Sequence, residues 1–121
     1  MKQGVLGRVV MAKAWESMQQ KNLGKPADCD PPATIDYDVW LGPAPKRPFN
    51  PLRFHGNWRW FFDYGAGDLA NDGVHRLDFA RWFLEAAVEG SGEKPIGLPR
   101  STSASGGKYY FDDAQEWPDT M

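Results

Sequence analysis

The chain has one cysteine among its 121 residues. An intrachain disulfide is excluded, and so is any Cys-x-x-Cys metal or redox motif. Cys29 lies in KPADCDPP, a Pro/Asp loop in which it reads as a bystander more than a nucleophile. No apolar run approaches the length a membrane span needs. Met1 to Trp15 lacks the continuous apolar stretch and small-residue cleavage site of a signal peptide. The default expectation is a cytoplasmic protein with no membrane partner, with export of a longer parent left open. The histidines, His55 and His75, show no recognised ligand spacing with Cys29 or the scattered acids, so no metal site is expected. The net charge of −2 argues against general nucleic-acid binding. No internal repeat is visible.

Acidic residues are missing from Val39 to Phe62, while Lys46, Arg47, Arg53 and Arg59 all fall there. Two readings stay open: a local patch facing an anion or a polyol, and a solvated basic loop. The composition, 41% hydrophobic and 25% charged, is that of a soluble globular protein. The length suits one domain or part of one, and is too short for a nucleotide-binding domain plus a substrate domain.

Along the chain, Gly7 to Trp15 (GRVVMAKAW) is partly alternating and β-branched, which predicts a strand. Lys21 to Thr34 holds Gly24, Pro26, Pro31 and Pro32, marking an irregular connection. Asp36 to Leu41 reads as a single helical turn capped by Asp36 and stopped at Gly42-Pro43. Pro43, Pro45 and Pro48 keep the following stretch extended. Asn57 to Tyr64 (NWRWFFDY) reads as extended, with Trp58, Trp60 and Phe62 on one side and Arg59, Phe61 and Asp63 on the other. Those rings serve either as core or as a stacking surface for a sugar ring.

Gly65 to Glu89 carries the sustained helical periodicity. Leu69, Gly73, Leu77, Ala80 and Leu84 form a stripe expected to lie on a core. Asn71, His75, Asp78 and Trp82 form a polar row on the other side. Asp68 is the expected N-cap and Gly90 the expected stop. After a Gly/Pro/Ser loop, Ser101 to Phe111 reads as two strand pieces joined through Gly106-Gly107, and the chain ends soon after. The pieces predict an α+β fold: an open, largely antiparallel sheet, interrupted, with a long helix packed on one face.

Gly65 to Ala70 (GAGDLA) fits G-x-G-x-x-A, with Glu85 about 20 residues on. A dinucleotide site is rejected because the preceding segment is aromatic, Asp68 would face the pyrophosphate, and Glu85 lies on the same helix. His75 is the better candidate for chemistry, because imidazole titrates near neutrality and Asn71, Asp72 and Asp78 stand within one turn. The alternative is a satisfied structural histidine.

The run WLGPAPKRPFNPLRFHGNWRWFFDYGAGDLANDGVHRLDFARW, with GRVVMAKAW before it and SASGGKYYFDD after it, closely resembles the C-terminal domain of the Gfo/Idh/MocA oxidoreductases. The resemblance runs from about Gly7 to Trp82 and resumes at Ser101, leaving an insertion at about 85–99 within a partial substrate domain spanning 1–121. It implies an enzyme that moves hydride between NAD or NADP and a hydroxyl carbon of a sugar or cyclitol. The nucleotide would be held by a Rossmann domain that is expected to precede Gly4, so the chain alone is expected not to turn over. The family's helical histidine maps onto His75 as acid/base. Where the family commonly has aspartate, Asn71 stands as an orienting partner that supplies no charge. The resemblance and the basic aromatic loop together nominate Arg53, Trp58, Arg59, Tyr64 and Asp72 as substrate contacts. It also implies a homo-oligomer formed through the open sheet face. Glu93-Lys94-Pro95 spells the family's lysine motif but lies in the loop after the helix, and is read as coincidence. The alternatives are a non-enzymatic carbohydrate-binding or assembly module and an inactive gene remnant.

Overall fold

A computed structural model of the chain describes residues 5–16, 20–89 and 91–121. The element order is helix α1 (Tyr37–Leu41), 3-10 turns at Pro51–Arg53 and Asn57–Trp60, a π-helical turn at Leu69–Gly73, and helix α2 (Val74–Val88). The chain forms two compact units, one of Met1–Met18 with Asp72–Ser103 and the other of Gln19–Asn71 with Ala104–Met121.

The expected α+β fold is overturned. Among the described residues there is no strand, only an isolated antiparallel bridge between Gly107 and Thr120, and therefore no open sheet face. The physical reason is that β-propensity describes fit to a pleated, paired surface and provides no ladder by itself. Gly7 to Trp15 finds no ladder partner, and Val10, Met11 and Trp15 stay about 70–80% exposed. In Ser101 to Phe111, the Tyr109, Tyr110 and Phe111 N–H groups turn to the Asp119 carboxylate at 2.9, 3.0 and 2.8 Å.

In the unit containing it, α2 is built from good helix formers such as Arg76, Leu77, Ala80, Arg81, Leu84, Glu85, Ala86 and Ala87. Arg81 and Glu85 pair one turn apart at 2.9 Å. The stripe of Leu69, Gly73, Leu77, Ala80 and Leu84 does not lie on a core: α2 has no buried residue, and Leu69 and Leu77 are exposed. Val74, Phe79, Trp82 and Phe83 lie outside that stripe and are exposed as well. Its large apolar residues are spread over several sides of the helix, so no single face is singled out for burial. Its tie within the unit is polar: Arg76 Nε and Nη2 both donate to Glu16 Oε2, at 2.9 and 2.6 Å. The helix ends at Val88 with Glu89 as its cap, and the expected stop, Gly90, lies outside the described residues.

The other unit has the core, with Leu41, Phe49 and Phe61 buried. Around it runs an aromatic cluster: Tyr37 stacks on Trp40 with centroids 5.6 Å apart, and Phe49 meets Tyr37 and Phe54 at 5.3 and 5.7 Å. Helix α1 forms as its local sequence dictates. Asp36 accepts the Val39 N–H at 3.0 Å, and Gly42 closes the turn at φ 54°. Asn50 caps the Pro51–Arg53 turn by accepting the Leu52 N–H at 3.0 Å, and its amide donates to Pro26 O and Asp28 Oδ1. Asp113, buried near the end of the chain, accepts from Leu23 N–H at 2.9 Å and Lys108 Nζ at 3.0 Å.

Candidate functional site

The residues nominated from the sequence divide between the two units. Arg53, Trp58, Arg59, Tyr64 and Asn71 belong to the aromatic one, and Asp72 and His75 belong to the one with α2.

The segment NWRWFFDY is not extended. Asn57–Trp60 winds into a 3-10 turn, and Gly65 N–H donates back to Phe61 O at 2.9 Å. The two-sided alternation expected of it is replaced: Phe61 is buried in the core, while its neighbour Phe62 is 59% exposed. The reason is the following Gly65, which lets the chain fold back tightly. A Cβ there would stand 2.6 Å from Arg59 Cα and 2.8 Å from Arg59 O. The return is fixed by Trp117, whose indole N–H donates to Gly65 O at 2.9 Å and whose ring meets Phe62 edge-on at 4.6 Å.

This fold-back leaves a pocket of about 530 Å³ in the aromatic unit, walled by Trp40, Pro43, Pro45, Trp58 and Tyr64 with Asp63 at its polar side. It is an open depression on the surface of the unit, not an enclosed cavity. The Tyr64 ring lies 5.5 Å from the Trp40 ring. Its hydroxyl oxygen is buried, with Tyr37 as its neighbour. Burial first, and then Tyr37, raise the Tyr64 pKa above that of a free phenol. Asp63 Oδ2 accepts from Arg47 Nη1 at 2.7 Å, and the same guanidinium nitrogen reaches Glu116 Oε1 at 3.3 Å. Burial lowers the Arg47 pKa, but hydrogen bonds to Asp63 and Glu116 more than offset it and leave the pKa raised. Glu116 Oε2 also accepts the Phe62 N–H at 2.7 Å.

The two nominated arginines sit differently. Arg53 is buried, its Nη2 donating to Pro48 O and, at 3.3 Å, to Asp28 Oδ1, with its guanidinium 5.9 Å from the Phe61 ring centre. Arg59 lies 5.7 Å over Trp58, with a buried Nε that has no hydrogen-bond partner. The basic stretch noted in the sequence is thus partly neutralised from outside itself, Lys46 pairing with Asp38, Arg47 with Asp63 and Glu116, and Arg53 with Asp28.

His75 is exposed as the second residue of α2, and Asp72 is half-buried in the π-helical turn before it. Asn71 lies within that turn, so the spacing of an uninterrupted α-helix does not carry through the junction to His75.

Gly65 to Ala70 does not fit a dinucleotide. The glycines of such a fingerprint leave room for backbone and pyrophosphate to approach. Here the room at Gly65 is filled by Arg59 backbone, and at Gly67, at φ +64°, by the Trp117 ring 2.8 Å from a Cβ position. Asp68 accepts from Gln20 Nε2 at 2.9 Å. Among the described residues no group of three or more His, Cys, Asp and Glu side chains could hold a metal ion. Nor is any helix long and apolar enough to cross a membrane.

The sequence reading missed Trp40, Pro43, Pro45 and Asp63 as pocket walls. Their signal was present: WLGPAP supplies the first three, and Asp63 is the first acid after the acid-free stretch.

No curated protein and no solved structure matches the chain. A family model does: the oxidoreductase family, C-terminal alpha/beta domain, matches residues 13–99, a span that contains every nominated residue and all the pocket walls. The chain therefore belongs to the Gfo/Idh/MocA oxidoreductase family, through that family's C-terminal domain.

Proposed function

We propose that this chain supplies the substrate side of an enzyme that moves hydride between NAD or NADP and a hydroxyl carbon of a sugar or cyclitol. The family match over residues 13–99 carries the reading. The dinucleotide is assigned to no residue of this chain, because Gly65 to Ala70 does not fit it. His75, exposed at the head of α2, exchanges the proton of the reacting hydroxyl, a role suited to an imidazole, whose ring nitrogens can accept and return a proton. Asn71 orients the imidazole by hydrogen bonding and adds no charge to stabilise its protonated form. The π-helical turn just before His75 supports this placement, since such turns gather at functional sites. Arg53, Trp58, Arg59, Tyr64 and Asp72 are the substrate contacts, Trp58 and Tyr64 through the pocket they wall.

The test is nucleotide reduction, followed by absorbance, in the protein expressed from its complete reading frame and offered a panel of sugars and cyclitols. Reduction with at least one of them is expected, and His75→Ala should lower kcat by more than roughly tenfold at unchanged thermal stability. Absence of reduction with every polyol overturns the oxidoreductase reading, and unchanged kinetics in the variant removes His75 from it.

A second reading, a non-enzymatic carbohydrate-binding module, is favoured by one observation: the aromatic pocket is complete within a single unit. Saturable binding of a sugar by a protein that reduces no nucleotide would select it.

A further inference from the structure

We infer that Trp117, supported by Glu116, is a positioning residue: the tail segment that carries them straps the loop 60–67 and fixes the entry to the π-helical turn that bears Asn71. The consequence for proton exchange rests on the proposed function; the strap itself does not. Residues 116 and 117 lie beyond the 13–99 family match, so their role is not carried by it.

Between Trp60 and Gly67 the backbone belongs to no regular element, and its polar groups find partners in the tail. Glu116 N–H donates to Trp60 O at 2.9 Å. Glu116 Oε2 accepts the Phe62 N–H at 2.7 Å, and Trp117 Nε1 donates to Gly65 O at 2.9 Å. The Trp117 ring then closes the space beside Gly67, where φ is +64° and a Cβ would stand 2.8 Å from Trp117 Cγ. The π-helical turn Leu69–Gly73 follows directly, with Asn71 at its middle.

The tail can hold this loop because it is itself anchored. Asp113 and Gln115 are buried, and Lys108 Nζ donates to Asp113 Oδ1 at 3.0 Å and to Gln115 O at 2.5 Å. Ala114 N–H donates to Gly24 O at 3.0 Å, and Arg47 Nη1 reaches Glu116 Oε1 at 3.3 Å. A π-helical turn is rare and competes with ordinary α-helical bonding, so its place in the chain depends on what holds its ends. Trp117 and the Gln20–Asp68 hydrogen bond are the ties at its entry. In the proposed reaction Asn71 orients the His75 imidazole. Trp117 therefore acts through Asn71 and touches no reactant.

The alternative role for Trp117 is to fill space against Phe62 and Gly67. Trp117→Phe separates the two, because it keeps a ring and removes the indole N–H.

The first measurement is amide hydrogen exchange on the whole chain, without nucleotide. Trp117→Phe should speed exchange across Leu69–Gly73 roughly fivefold, with Tyr37–Leu41 unchanged. Glu116→Ala removes the acceptor for the Phe62 N–H and is a second variant expected to act in the same direction. The second measurement is nucleotide reduction by the protein expressed from its complete reading frame. There Trp117→Phe should lower kcat roughly fivefold and leave KM within about twofold. In an Asn71→Ala background the same substitution should lower kcat no further, because the residue it acts through is gone. Unchanged exchange at Leu69–Gly73 in both variants overturns the inference. So does exchange that rises equally across Tyr37–Leu41, or a loss of kcat that adds in full to that of Asn71→Ala. A protein that reduces no nucleotide, yet shows the exchange response confined to Leu69–Gly73, sinks only the oxidoreductase reading and leaves the strap standing.

Discussion

Replacing Gly65 by Ala tests whether the fold-back that shapes the pocket is set by backbone contact. The added methyl would meet Arg59 Cα at 2.6 Å, Arg59 O at 2.8 Å and Arg59 C at 3.0 Å, all of them main-chain atoms. Ordinary carbon contacts lie near 3.5–4.0 Å, so one strand of the loop must move by about 1 Å. Overpacking of this kind typically costs about 1–3 kcal/mol, and a backbone neighbour, which cannot change rotamer, puts Gly65→Ala at the upper end. Gly67→Ala combines two effects. Its φ of +64° is disfavoured for any side chain, by about 1–2 kcal/mol, and the methyl meets the Trp117 ring at 2.8 Å. That ring also holds the hydrogen bond to Gly65 O, so a total loss of about 3–4 kcal/mol is expected. Gly56→Ala is the control in the same unit: its φ is −101°, and nothing lies within 4 Å of the added methyl. Its change should stay within about 0.5 kcal/mol. Urea unfolding followed by tryptophan fluorescence reads all three, since Trp40, Trp58, Trp60 and Trp117 belong to that unit. If Gly65→Ala unfolds at the same urea concentration as Gly56→Ala, the contact between Gly65 and Arg59 does not set the fold-back, and the account of the pocket's shape fails with it.

Asp119 gives a pH-dependent counterpart. The N–H groups of Phe111, Tyr109 and Tyr110 lower its pKa from 3.8 to about 2. The folded value is the depressed one, so the stabilisation is fully present above about pH 4 and is lost as pH falls through about 2. Amide chemical shifts of those three residues should move over that window, and Asp119→Asn should abolish the movement; a midpoint near 3.8 would refute the hydrogen-bonded collar. Asp36→Ala removes the acceptor for Val39 N–H and should destabilise by about 1 kcal/mol in the same urea assay, with loss confined to hydrogen-exchange protection across Tyr37–Leu41. Unchanged protection there would show that packing of Trp40 and Leu41, not the cap, holds the turn.

Helix α1 was fully legible because its signals are local. A capping carboxylate, a turn of helix and a Gly-Pro stop act within a few residues, and no distant partner is needed to read them. The sequence did not reveal that Arg59 and Trp117 fill the space beside Gly65 and Gly67. The strands were misread because a strand requires a ladder. Val9 and Val10, or Tyr109 and Tyr110, show that a segment suits a sheet, and say nothing of whether one forms. NWRWFFDY was misread because alternation of rings over a few residues fits a strand and a 3-10 turn alike, and only the close approach of Gly65 to Arg59 separates them.

For the candidate site, the sequence by itself identified the family and nominated His75 and Asn71 near the start of a helix and Trp58, Arg59 and Tyr64 in the basic aromatic loop, because each is carried by a contiguous run in fixed order. The tertiary structure alone decided that WLGPAP folds beside Trp58 and Tyr64 as a pocket wall, that Asp63 is held by an arginine 16 residues before it, which it shares with Glu116, and that the Tyr64 hydroxyl is buried. The reason is physical. Propensity, capping and order in the chain act through neighbours along the backbone, whereas burial, neutralisation of charge and unused hydrogen-bonding capacity exist only once distant residues share a space.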